Sequence, residues 1–160
     1  MSAPTSHFAP VARWLHWLMA VMIIAMLFIG AGMAASVSER HEWLLNLHKP
    51  LGIAILLLVV VRLFVRFSTR QPALPAELPA VQVLAARLSH VLLYGLMFCL
   101  PIVGWAMISA AGDPVMLSSS LQLPGILPAS PGTFAFLRKA HTYLALSLIH
   151  ISEPTRPRLI

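Results

Sequence analysis

The chain has 160 residues, of which 59% are hydrophobic and only 10% charged. Roughly a quarter of the residues in an ordinary soluble domain are charged, so this composition excludes such a domain and points to one helical membrane domain, with the lipid bilayer as its first partner. The net charge of +6 could suit nucleic acid. The arginines, however, gather at the ends of apolar runs, as cytoplasmic flanks of membrane spans do, so nucleic acid is not an expected partner.

Residues 1–12 form a short lead with Pro4, Pro10 and His7. A first span is expected from Trp14 to Ala35, opening with Trp14 and Trp17 at the interface and carrying His16. A cleavable signal peptide is the alternative, since Arg13 precedes the run and small residues close it. Its apolar core would be about 7–15 residues, and this run is longer, so the span is expected to be retained. A polar connection, Ser36 to Asn46, follows, with His41 expected in solvent. The second span is expected from His48 to Phe67, with Pro50 in its first turn, where no backbone N–H is missed. Arg62, Arg66 and Arg70 close it. Pro72, Pro75 and Pro79 mark an extended linker from Ser68 to Gln82. The third span begins at Leu84 or Leu88 and runs to Ile108, with His90, Tyr94 and a kinking Pro101. A long loop from Ser109 to Thr133 leads to a fourth span starting near Phe134, with Arg138, Lys139 and His141.

Basic residues orient the chain. Arg13, Arg62, Arg66, Arg70 and Arg87 flank one side; Arg40, Lys49, Arg138 and Lys139 flank the other. The first set is larger, which places the N-terminus and the proline linker in the cytoplasm. His48 and His141 then lie near the outer face, and His16 and His90 near the inner face.

An ionisable residue within a span is a candidate functional group. A b-type electron carrier needs two imidazoles on opposite faces of a haem, and helices of a bundle supply them by pointing histidines inward. His48 and His141, at one depth, meet that need. Two axial histidines leave no open position on iron, which suits electron transfer rather than oxygen binding. Lys49, Arg138 and Lys139 are placed to pair with haem propionates. Cys99 is the one cysteine and no Cys-x-x-Cys-His occurs, so a haem here is not covalently attached. Zinc is a weaker rival, because no cysteine or carboxylate cluster completes a tetrahedral set. His90 keeps three readings: a hydrogen bond to a propionate or quinone carbonyl, an iron ligand opposite His16, or a polar anchor at a helix start.

Several motifs together carry a family resemblance. Arg13-Trp14-Leu15-His16-Trp17, Leu47-His48-Lys49-Pro50-Leu51-Gly52 and Val61-Arg62-Leu63 are followed by Leu88-Ser89-His90-Val91-Leu92-Leu93-Tyr94, Leu100-Pro101-Ile102-Val103-Gly104 and Lys139-Ala140-His141. In this order they resemble the bacterial cytochrome b561 family, over about residues 10–145. The resemblance implies an all-α, four-helix transmembrane bundle in the bacterial inner membrane, with two b haems. It implies that His48 and His141 are the outer ligand pair and His16 an inner ligand. It also implies electrons passing between a donor on the outer side and quinone. The membrane anchor of a hydrogenase or dehydrogenase complex is a related alternative with a redox partner protein; a haem-free scaffold or transporter is an unrelated one.

The end of the chain departs from that pattern. The resemblance implies a second histidine on the fourth helix about 14 positions after the first, close to a whole number of turns. Position 155 is Thr155, and His150, nine positions after His141, is turned about 180° away. The run from Leu146 to Arg156 resembles the translation of a transposon-type sequencing adapter. The expectation is therefore a cytochrome-like domain over residues 1–145, an artefactual tail over residues 146–160, an incomplete last helix, and stable binding of the outer haem alone.

Overall fold

The computed structural model describes residues 10–69, 79–118 and 120–152. Four helices dominate: α1 (Pro10–Ala34), α2 (Glu39–Ser68), α3 (Ala80–Ala111) and α4 (Pro131–Ser152). Two short strands, β1 (Val115–Met116) and β2 (Gln122–Leu123), lie between α3 and α4 and pair antiparallel. The helices α1, α2 and α3 are each long and apolar enough to cross a membrane. His7 and most of the proline linker, including Arg70, Pro72 and Pro75, lie outside the described residues.

The chain divides into two compact units. The first holds α1, α2 and the strand pair. Gly32 lies against Leu44, Gly30 against His48 and Gly52 against Met26, while Arg62 bonds His16. Partners ascend one helix as they descend the other, so α1 and α2 are antiparallel. Glycine at these levels lets the backbones approach, as small residues do between helices in lipid. Met19 and Val59 are fully buried, with Leu44 and Ile55 beside them in the same unit. The strand β1 packs on α2, burying Val115.

The second unit holds α3 and α4. Leu96, Ala106, Ser109, Ala110 and Leu148 are its buried residues. Ser109 is polar and satisfied: its hydroxyl donates to the Trp105 carbonyl at 2.9 Å and accepts the Ile126 N–H at 3.2 Å. Gly112 ends α3 with φ 85°, a left-handed conformation that a residue without Cβ adopts at little cost. The Asp113 N–H reaches back to the Ile108 carbonyl, closing a Schellman-type stop. Ser130 caps α4 by accepting the Thr133 N–H on its hydroxyl, and Pro131 takes the first helical position.

Several boundaries differ from the sequence expectation. The connection expected over Ser36 to Asn46 is largely helical, because α2 begins at Glu39. Glu39 and Glu42 favour that start, since carboxylates are stabilised at a helix N-terminus. Pro50 is consequently inside α2 rather than in its first turn. His41, expected in solvent, is half-buried, with its Nδ1 3.0 Å from the Met33 carbonyl at the end of α1. That carbonyl accepts the Ser36 N–H at 3.3 Å, and the imidazole adds a second donor. The third helix begins at Ala80, several residues earlier than expected, immediately after Pro79. The long loop contains strands that its Pro, Gly and Ser content did not announce.

Candidate functional site

The second helix of each unit carries a histidine set against a glycine of the first. In the first unit this is His48 on α2. A Cβ built at Gly30 of α1 would stand 4.0 Å from its Cε1, an ordinary contact. In the second unit it is His141 on α4. A Cβ at Gly104 of α3 would stand 3.3 Å from its Cε1 and 3.6 Å from its Nδ1. Both rings are half-buried and both Nδ1 atoms are buried. The His141 ring faces Gly104 by its Cε1–Nδ1 edge, which leaves Nε2 as the nitrogen turned from the glycine.

His16 has a different environment. It is exposed on α1, its ring lies 5.6 Å from that of Trp17, and a guanidinium nitrogen of Arg62 lies 3.0 Å from its Nδ1. A guanidinium only donates, so Nδ1 accepts and the ring proton sits on Nε2. Arg62 was expected merely to close the second span; it stands inside α2 and holds this imidazole. His90 is exposed on α3 and donates from Nδ1 to the Ala86 carbonyl at 2.8 Å. Its Nε2 therefore carries the lone pair. Tyr94, one turn on, is half-buried. Lys49, beside His48, is half-buried, whereas Arg138 and Lys139 are exposed on α4 with Phe134, Thr142 and Tyr143. His150 is exposed and bonds the Leu146 carbonyl of its own helix.

Gly30 was not singled out from the sequence, and Gly104 and Arg62 entered only as motif and span-end residues, without the contacts with His141 and His16. A signal for them was present. His16 precedes Gly30 by fourteen positions, His48 precedes Arg62 by fourteen, and His90 precedes Gly104 by fourteen. Fourteen residues make close to four helical turns, about 21 Å. In α1 and α2 both levels meet, Gly30 with His48 and His16 with Arg62; in α3 the Gly104 level meets His141.

The comparison with known proteins decides the family. The model for prokaryotic cytochrome b561 matches residues 7–152. The chain belongs to the prokaryotic cytochrome b561 family. It is also 30% identical over 141 residues to cytochrome b561 homolog 2 of Escherichia coli (strain K12), covering 86% of this chain and 74% of that relative. Cytochromes b561 are multi-pass prokaryotic membrane proteins that transfer electrons through b-type haem, and the three long apolar helices accord with that. The residues present fit such a group. Imidazoles are its usual axial donors, and those of His48 and His141 lie inside their helix pairs, beside backbone that lacks a side chain. The expected b-type membrane cytochrome is thus the correct class.

Proposed function

We propose that His48 and His141 are the axial ligands of a haem b near the outer face, and that this haem relays electrons between a donor on that side and quinone. The observation that carries the reading is the shared environment of the two rings. Each has a buried Nδ1 and each is set against a glycine of the neighbouring helix. When bound, the haem would supply a one-electron iron couple. His48 and His141 would hold it through their imidazoles, whose Nδ1 atoms are buried. Lys49, next to His48 in the chain and half-buried, would pair with a propionate; Arg138, more exposed, would offer a second cation.

His16 is held by Arg62, with its proton on Nε2. For it to ligate iron through that nitrogen, Arg62 must release the ring and the proton must move. His90 presents a lone pair already and is the better acceptor on the inner side. The membrane orientation proposed is N-terminus in the cytoplasm, with His16 and His90 toward that face.

The test is optical. Purified membranes reduced with dithionite are expected to show α and Soret bands of a bis-histidine b haem. His48→Ala and His141→Ala should each abolish them. Retention of both bands in either variant would overturn the ligand assignment, and a colourless parent would favour a haem-free scaffold.

A further inference from the structure

We propose that Gly104 is a positioning residue for His141: its missing side chain opens a notch in α3 that lets the imidazole lie against that helix by its Cε1–Nδ1 edge and so fixes which ring nitrogen faces away from Gly104. The inference rests on the reading of His141 as a haem ligand, which it extends by naming what aims the ring.

Three observations within the second unit carry it. First, a Cβ at Gly104 would lie 3.3 Å from His141 Cε1, tighter than nine in ten real Cβ contacts. The neighbour is an imidazole on a short side chain, and the ring would have to give by a few tenths of an ångström. Second, the same Cβ would lie 3.6 Å from Nδ1, and no other atom of the ring comes within 4 Å of it, so the Cε1–Nδ1 edge faces the glycine and Nε2 is the nitrogen turned from it. Third, the corresponding glycine of the first unit is looser: a Cβ at Gly30 would meet His48 at 4.0 Å. Of these two histidine–glycine pairs, His141 with Gly104 is the tight one.

The contrast within α3 supplies the control. Gly95 lies on the same helix, and a Cβ added there meets nothing within 4 Å. A helix-interior glycine is ordinarily improved by alanine. If Gly104 were only a packing glycine, its replacement should resemble that of Gly95 once small local shifts are allowed. If it aims an imidazole, replacement should disturb the iron site out of proportion.

The experiment uses the full chain in lipid nanodiscs and has two arms. In the first, haemin is titrated into the parent, Gly104→Ala and Gly95→Ala chains, and the ferric product is read by electron paramagnetic resonance. Gly104→Ala is expected to weaken haemin binding at least tenfold and to shift the largest g value. Gly95→Ala should stay within twofold of the parent and leave the signal in place. In the second arm, the haem-free chain is melted as a cycle of Gly104→Ala with His141→Ala. Gly104→Ala should lower the melting temperature when the imidazole is present and raise or preserve it when the imidazole is gone. A Gly104→Ala chain that folds only in the His141→Ala background supports the notch equally. Parent-like haemin affinity and g values in Gly104→Ala, or a loss of stability of equal size in both backgrounds, would overturn the proposal. A parent chain that takes up no haemin defeats the ligand assignment instead, and the haem-free cycle then decides the notch by itself.

Discussion

A histidine in an apolar helix is defined chemically by which of its nitrogens is engaged. His90 and His150 spend Nδ1 on their own helix, at Ala86 and Leu146, while His41 uses Nδ1 across the turn at Met33. His16 is the exception, because a donor rather than a carbonyl meets its Nδ1. Replacing Arg62 with Met should therefore release the Nε2–H tautomer of His16. Histidine nitrogen shifts in labelled protein check this: the parent should show His16 protonated at Nε2, and Arg62→Met a mixture or a reversal. His150→Ala and His41→Ala should keep the haem bands, as neither ring lies at the proposed ligand positions. The His41 change should still cost stability, by at most about 1 kcal/mol, because the Met33 carbonyl keeps only the Ser36 N–H, which thermal melting would show.

At the level of the helices, the ends were harder to read than the spans. Apolar runs of the right length announced α1, α2 and α3, and the histidines fell on them as expected. The start of α2 was hidden because Glu39, Arg40, His41 and Glu42 look like a loop by polarity alone. Their helicity comes from acidic residues at the first turn and from contact with the end of α1. The strands β1 and β2 were illegible because pairs of residues carry no period, and their pairing depends on a turn closed by Ser118. The notch at Gly104 was equally hidden, since a glycine inside a span reads as a packing residue until its neighbour is known. Two substitutions probe the ends. Ser130→Ala should destabilise α4 by about 1 kcal/mol through the lost cap. Gly112→Ala forces a Cβ into φ 85° and should cost about 1 kcal/mol. Both are read as shifts in thermal melting.

For the molecule as a whole, the countable quantity is haem per chain. Position 155 is threonine and His150 is turned away from the His141 face. One haem, held by His48 and His141, is therefore expected, and a pyridine haemochrome assay should return a ratio near one. A ratio near two would mean that His16, freed from Arg62, or His90 serves a second iron. The proposed orientation makes a separate prediction: a reporter that fluoresces only in the cytoplasm should be bright when fused ahead of Met1.

The segment Pro114–Pro124 belongs with α1 and α2, although it follows α3 in the chain. Val115 there is almost wholly covered, at 4% exposure, on a strand seated on α2. Genetic dissection at the proline-rich join would thus yield unequal pieces. The leading fragment would be missing eleven residues encoded downstream, and α2 would display bare hydrocarbon where they belong. Supplying the trailing fragment in the same cell should rescue it, whereas a trailing fragment deleted for those eleven residues should not.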